Sequence, residues 1–180
     1  MSHNGGVIPP SLERVFLDFS IAKLKQLSGR IEDCLGRLSD EQIWARGSEN
    51  ENAVGNLVLH LCGNVRQWIC SGVGCETDIR VRDLEFAARG DMPAAELGGR
   101  LAGTLAQAVS VLETLPAERL TQKVIIQGYQ VSVLEAVYHA VEHFAQHTGQ
   151  IILAAKAATG QDLGYYRHLR PGVPHSEPTP

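Results

Sequence analysis

Residues 131–159, VSVLEAVYHAVEHFAQHTGQIILAAKAAT, contain no proline and one glycine, Gly149. Apolar side chains recur in this stretch at the three- and four-residue spacing of one helical face, which predicts a long amphipathic helix. A second stripe carries His139, His143 and His147, each four residues after the last. Because positions four apart project from nearly the same face, His143 and His147 can grip one ion from a single helix. The remaining ligands must come from elsewhere in the chain.

The composition is that of one ordinary globular domain. The chain has 180 residues, of which 44% are hydrophobic and 20% charged, and its formal net charge is −4. It shows no basic patch for nucleic acid, no apolar run long enough for a membrane span and no signal-peptide pattern at its N-terminus. The cysteines, Cys34, Cys62, Cys70 and Cys75, form no C-x-x-C motif. The sequence therefore predicts a reduced, cytoplasmic protein without a nucleic-acid or membrane partner.

Three further amphipathic segments precede the histidine-bearing helix. Their apolar spacing predicts helices over about 12–37, 53–71 and 94–115. The connection 75–91 is rich in charge, and we interpret it as a solvated crossing. Four long amphipathic helices with one long crossover and almost no strand signal predict an all-α fold, an up-down four-helix bundle.

The predicted domain organisation has three parts. Residues 1–10 end at a Pro-Pro pair and read as a flexible N-terminus, and residues 11–165 form the bundle. Residues 166–180 form a proline-rich C-terminal tail with few apolar residues.

The predicted second helix is apolar on most sides but carries one narrow polar stripe. Its members are Asn56, His60, Asn64 and Gln67, at spacings that place them on one face. A solvent face usually carries Lys, Glu or Arg, whereas these side chains are all neutral hydrogen-bonding groups. The stripe therefore favours a polar pocket inside the bundle over open surface.

His60, His143 and His147 together form a candidate metal site. Neutral imidazole suits zinc, nickel and iron, and three protein ligands leave a position open for water or substrate. A pair of histidines four apart also occurs on solvated helix faces, so the pair alone is a weak signal. His139 lies toward the more polar side of the helix, where it reads as a neighbour of the site or a surface residue. Gln150, one turn beyond His147, can hydrogen-bond in the pocket.

Two segments carry a resemblance to a known superfamily. NLVLHLCGNVRQW (56–68) and HAVEHFAQHTGQI (139–151) resemble the DinB-like (YfiT-like) metalloenzymes, in particular an uncharacterised branch. The resemblance implies a four-helix bundle, usually a homodimer, with a divalent metal on His60, His143 and His147. Characterised relatives include thiol-dependent S-transferases and a maleylpyruvate isomerase, in which the metal activates a low-molecular-weight thiol. This chain shows no clear thiol-cofactor signature.

The sequence thus predicts a divalent-metal-dependent enzyme that activates a water or a low-molecular-weight thiol toward a small electrophilic substrate, as a hydrolase or an S-transferase. The alternative is a non-catalytic, stress-related metal-binding dimer. In a homodimer, the predicted fourth helix is buried on two sides, one toward its own bundle and one toward a partner chain. Arg66 is the candidate for substrate binding, because guanidinium pairs with carboxylate or phosphate. The side chains expected to line the pocket or support the ligands are Asn56, Asn64, Gln67, His139 and Gln150.

Overall fold

A computed structural model describes residues 9–90, 92–169 and 171–172. Residues 1–8 of the predicted flexible N-terminus (1–10) and most of the predicted proline-rich tail (166–180) lie outside the described residues.

Four long helices form the body of the described chain. They are α1 (Leu12–Arg37), α3 (Val54–Val65, extended by a further helical segment), α5 (Ala94–Thr114) and α6 (Val133–Thr159). Two short helices, α2 (Asp40–Trp44) and α4 (Arg82–Ala87), lie in the connections before and after α3. The bounds of α1 are those expected from the sequence, and α6 starts two residues later than the predicted 131.

Both ends of α6 are closed by local chemistry. Ser132 and Glu135 form a capping box, in which the Ser132 hydroxyl accepts from the Glu135 amide at 3.2 Å and the Glu135 carboxylate accepts from the Ser132 amide at 2.5 Å. Gly160 ends the helix in the left-handed conformation at φ 66°, which glycine adopts without steric cost. The helix is therefore continuous through all its histidines, and their spacing is the regular four-residue spacing.

The end of the second long helix differs from the predicted regular helix over 53–71. From Arg66 to Val73 the backbone is π-helical, with a bond from the Gly74 amide to the Ile69 carbonyl at 2.8 Å. A π-turn holds more residues than an α-turn, so the side chains in this segment are rotated relative to an unbroken α-helix. Gly72 lies against Ile126, and a Cβ at Gly72 would collide with that side chain.

Ile126 belongs to a two-stranded antiparallel hairpin, β1 (Lys123–Ile126) and β2 (Tyr129–Ser132). The turn residues Gln127 (φ 53°) and Gly128 (φ 81°) both have positive φ, as a type I′ turn requires. The hairpin leads directly into α6.

The four long helices pack as a bundle. Helix α1 packs against α5 and α6, and α3 packs against the same two helices, so α3 and α6 are neighbours. The buried side chains form one hydrophobic cluster with members from all four. The predicted all-α four-helix bundle is confirmed, and the α3–α6 contact is the one that positions the histidines.

The outer face formed by α1 and α6 is partly apolar and open. Phe19 and Tyr138 are exposed there and line a groove of about 500 Å³ between the two helices. Within the single chain α6 is buried on one side only. The homodimer stays a prediction, which light scattering of the purified protein would test.

No helix in the described part of the chain is both long and apolar enough to cross a membrane. All four cysteines fall within the described residues and are free thiols.

Truncation of a buried leucine in α1 tests the bundle core against a matched surface position. Leu17 is fully buried (0% exposed), whereas Leu12, on the same helix, is 81% exposed. Leu17→Ala is expected to lower the free energy of unfolding by about 2–5 kcal/mol, because it removes buried methyl groups and leaves a cavity. Leu12→Ala is expected to change it by about 0.5 kcal/mol or less. Urea denaturation of both variants measures this, and equal effects would contradict the assigned burial.

Candidate metal centre

Three histidines meet where α3 faces α6. His60 comes from the polar stripe of α3, and His143 and His147 come from successive turns of α6. Their metal-ligating nitrogens all lie within 4.8 Å of one another. The fold therefore brings together the three histidines that the sequence singled out, from positions more than 80 residues apart in the chain (60 to 143).

Two of the three nitrogen pairs have the spacing of a tetrahedral metal site. The Nε2 atoms of His60 and His143 are 3.2 Å apart, and those of His143 and His147 are also 3.2 Å apart. In a tetrahedral site with metal–nitrogen distances of about 2.0–2.1 Å, two ligand nitrogens lie about 3.3 Å apart. The third pair, from His60 and His147, lies within the 4.8 Å that spans the whole set. Three histidine ligands would leave a fourth position for water or substrate.

His60 is held from behind by a buried carboxylate. Its Nδ1 lies 2.8 Å from Glu85 Oε2, and both side chains are almost fully buried. If Nδ1 carries the proton and donates to Glu85, then Nε2 presents its lone pair to the centre, an arrangement common among metal-ligating histidines. The Phe86 ring packs against the His60 ring with centroids 4.8 Å apart, which restricts its rotation.

Glu85 is itself held by Arg80. Arg80 Nε donates to Glu85 Oε1 at 2.7 Å, and Nη2 donates to Oε2 at 2.9 Å, so the pair is bidentate. Burial raises the pKa of Glu85, but the hydrogen bonds from Arg80 and His60 outweigh it and lower that pKa below its usual value. Glu85 is therefore ionised at neutral pH and accepts from both neighbours.

The expectation of a solvated crossing over 75–91 is wrong for Arg80 and Glu85. Glu85 and the Arg80 side chain are buried against α3, because Gly63 on α3 lacks a side chain at the point of approach. A Cβ on Gly63 would overlap the Glu85 carboxylate and press on Arg80. The crossover is thus partly an inner wall of the site.

The other two histidines have different surroundings at Nδ1. His147 Nδ1 lies 2.7 Å from Gln150 Oε1, so Gln150 occupies the place that the sequence suggested for it. His143 Nδ1 is buried and has no hydrogen-bond partner among the described residues. Asn64 Oδ1 and Trp68 Nε1 are among the other buried atoms that lack a hydrogen-bond partner within the described part of the chain.

His139 lies one turn before His143 and beside the centre. Its ring stacks on Trp68 with centroids 3.9 Å apart, and its centroid is 5.5 Å from that of His143. It does not belong to the set of three mutually close ligand atoms. His139 therefore contributes to the wall next to the histidine cluster.

The histidines of α6 are poised as neutral ligands. Burial, together with the positive charge of the neighbouring histidines and of Arg80, lowers the pKa of His143 to about 3. Burial also lowers the pKa values of His147 and His139, in spite of the opposing effect of the hydrogen bond that His147 donates to Gln150. Metal ions bind the neutral form of imidazole, so no proton need be displaced from these nitrogens at neutral pH.

Asn56 is fully buried, but its groups are used to hold the crossover. Its Oδ1 accepts from Arg46 at 2.6 Å and from the Ala53 amide at 3.2 Å. Its Nδ2 donates to the carbonyls of Glu85 at 2.9 Å and Ala88 at 3.1 Å. Asn56 thus fixes the backbone that carries Glu85 and acts on the histidines through that residue.

Gln67 likewise supports the site through an intermediary. Its Oε1 accepts from Arg80 Nη1 at 2.9 Å and also contacts Gln127 of the hairpin, while its Nε2 donates to Asp78 at 2.7 Å. These contacts tie the start of the crossover to the π-helical segment and hold Arg80 in line with Glu85.

Arg66 does not face the histidines. It lines a cavity of about 380 Å³ on another side of α3, together with Arg80 and Glu85. Its Nη1 donates to Gln107 at 3.1 Å, and its Nη2 lies 3.5 Å from Glu76. Any anion bound by Arg66 would therefore be separated from the histidine cluster by the Arg80–Glu85 pair.

Sequence reasoning missed Arg80, Glu85 and Gly63. The one available signal was Gly63 within the polar stripe of a helix that otherwise lacks small residues on that side. Nothing local distinguishes Arg80 and Glu85 from the solvated charges around them.

Comparisons with known proteins show the family and the fold of the chain. The profile of a family described as "Protein of unknown function (DUF1572)" matches residues 11–167. No curated protein matches the chain.

Two solved structures are similar in fold. One is a conserved protein from Enterococcus faecalis, with 16% identity and a TM-score of 0.66, covering 80% of this chain and 97% of that one. The other is a DinB-like protein from Bacillus cereus, with 16% identity and a TM-score of 0.62, covering 74% of this chain and 87% of that one. At this identity the likeness speaks for the fold alone. The chain therefore belongs to the family described as "Protein of unknown function (DUF1572)", and its fold is that of the DinB-like proteins.

Proposed function

We propose that the chain is a divalent-metal-dependent enzyme in which His60, His143 and His147 hold the ion, and that it activates a water or a low-molecular-weight thiol toward a small electrophilic substrate. The observation that carries the proposal is the convergence of three histidine nitrogens within 4.8 Å of one another, with two of the three pairs at tetrahedral spacing. A bound divalent ion would supply Lewis acidity, which lowers the pKa of a coordinated water or thiol.

The chain's own residues have separate tasks in this proposal. Glu85 accepts a hydrogen bond from the protonated Nδ1 of His60 and fixes the ring, so that Nε2 keeps its free lone pair. Gln150 does the same for His147 through its side-chain oxygen. Imidazole ligands suit zinc, nickel and iron alike, so the choice among these metals follows supply as much as affinity.

Asn64 is proposed as the corresponding partner of His143. Once His143 Nε2 faces an ion, its Nδ1 carries the proton and needs an acceptor, and the buried Asn64 Oδ1 is an acceptor in need of a donor. Asn64 follows His60 by one turn on the face of α3 that meets α6, which supports the pairing.

The competing function is a non-catalytic metal-binding protein. It would use the same three histidines but close the fourth position with a protein ligand. His139 is the nearest candidate for that role, and its stacking on Trp68 favours the open site. Turnover of a thiol or hydrolytic substrate by the metal-loaded protein, absent after chelation, separates the two.

Metal content is the first test. Protein purified without a His-tag is expected to hold about one ion per chain after incubation with zinc, nickel or iron, as measured by mass spectrometry of the metals. The double variant His143→Ala/His147→Ala is expected to lose the ion, because one imidazole alone cannot chelate it. A matched control is His168→Ala, which lies outside α6. Equal metal content in all three proteins would overturn the site, provided that circular dichroism shows an intact helical fold.

Glu85→Gln tests whether the carboxylate supports His60. The variant keeps the shape of the side chain but loses its charge, so His60 is less firmly held and less basic. We expect metal affinity to fall about 10- to 100-fold. Asp83→Asn, on the exposed side of the same short helix, is the control and should leave affinity unchanged. Unchanged affinity in Glu85→Gln, measured by competition with a chelating dye, would remove Glu85 from the site.

Asn64→Leu distinguishes a bonded from an unbonded amide. If Asn64 accepts from His143, the variant should bind metal more weakly, because the ring loses its orientation. If Asn64 has no partner, replacing it by an apolar side chain of similar size should leave metal affinity unchanged and leave thermal stability equal or higher. Dye competition and thermal unfolding of the same variant separate these outcomes.

A further inference from the structure

A second cavity lies beside the histidine centre, on the far side of the Arg80–Glu85 pair. Its volume is about 380 Å³, which is in the range of pockets that hold small molecules. It is bounded by α3, the crossover and α5. The side chains that define it are Leu59, Cys62, Arg66, Ile79, Arg80, Val81, Leu84, Glu85, Arg100 and Thr104.

The mouth of this cavity is apolar and uncovered. Ile79, Val81 and Leu84 are 65%, 58% and 66% exposed. Three large apolar side chains around one opening form an apolar patch. Burying this patch against a ligand lowers the free energy of the complex. The ligand should therefore carry an apolar body.

Arg66 lines the cavity and carries an unused donor. Its Nε is buried and has no hydrogen-bond partner in the described part of the chain. Its ion pair with Glu76 is long, at 3.5 Å, and partly exposed on both sides. Such a pair contributes little, so Arg66 can exchange it for a ligand oxygen.

Arg100 provides a second cation on the α5 side. It is about half exposed and lies 3.6 Å from Glu96 on the same helix. This is again a loose pair that solvent screens. Thr104, one turn further along α5, adds a hydroxyl to the same wall.

The other charges of the cavity are already satisfied. Arg80 uses Nε and Nη2 on Glu85 and Nη1 on Gln67, so the pair forms a neutral rear wall. Burial raises the pKa of the Cys62 thiol to about 11, so this group is also neutral. The charge left for a ligand to complement is therefore the positive charge of Arg66 and Arg100.

We propose that this cavity binds a small organic anion, a carboxylate or a phosphate monoester on an apolar body. Arg66 and Arg100 hold the anionic group, because guanidinium groups match these oxygens in geometry and charge. Leu84 and its apolar neighbours at the mouth contact the body. The site does not require the metal, since it shares only the Arg80–Glu85 wall with the histidine centre.

Four probes with the same six-carbon chain test the proposal: hexanoate, hexyl phosphate, hexanol and hexylamine. Binding to the full chain is followed by NMR chemical-shift changes. We expect one or both anions to bind, and to bind at least tenfold more tightly than hexanol or hexylamine. The tighter anion identifies the head group. Equal affinity for the anions and hexanol would overturn the proposal.

Variants locate the binding. Arg66→Gln/Arg100→Gln is expected to weaken anion binding at least tenfold, and Thr104→Trp should block it by filling the cavity. The control is Arg37→Gln, which removes an arginine from an ion pair between positions four residues apart on α1. It should leave anion binding unchanged. Anion binding that survives both cavity variants, with the fold intact by circular dichroism, would contradict the assignment.

One further variant separates this site from the proposed metal centre. His143→Ala/His147→Ala should bind hexanoate or hexyl phosphate as the natural chain does. Loss of anion binding in that variant would show that the anion occupies the histidine centre and would overturn the separate site, whatever the metal content.

Discussion

The contact between His60 and Glu85 is the constraint on which the site depends. Glu85 lies on the crossover and His60 lies in the middle of α3, so their 2.8 Å contact fixes the crossover against the bundle. Arg80 closes the arrangement from the other side and keeps the carboxylate ionised. Removing one partner of such a buried set typically costs about 3–5 kcal/mol, because a charge is left unpaired. The orientation of one proposed ligand and the packing of a whole connection therefore rest on the same group of atoms.

Close approach of the backbone makes this contact possible. Gly63 leaves the space that the Glu85 carboxylate fills, and Asn56 holds the main chain of Glu85 and Ala88 through its amide. Gln67 then aligns Arg80 from the π-helical segment. The members of the polar stripe on α3 and its π-helical extension thus have different roles. The histidine of the stripe faces the centre, and two of the stripe's amides secure the loop that holds the histidine. The third amide, Asn64, is buried beside the centre with an unmet acceptor.

The Arg80–Glu85 pair lies between two different environments. On one side of the Arg80–Glu85 pair are neutral imidazoles whose pKa values are lowered by burial, a setting suited to a cation. On the other side are Arg66 and Arg100 around an apolar mouth, a setting suited to an anion. The pair lies between them and has no net charge. Arg66, although it is only six residues from His60, lines the second cavity and does not share a site with it.

The sequence by itself determined the helices and the placement of His143 and His147 on one helix face. Apolar periodicity, the Ser11 and Ser132 caps and Gly160 specify α1 and α6, because these signals act between residues a few positions apart. The four-residue spacing of His143 and His147 likewise fixes their common face. Only the tertiary structure decided that His60 meets them, that Arg80 and Glu85 are buried rather than solvated, and that Arg66 faces another cavity. These outcomes depend on which helices become neighbours and on where a missing side chain at Gly63 admits the crossover. Such contacts join residues far apart in the chain, and no local pattern encodes them.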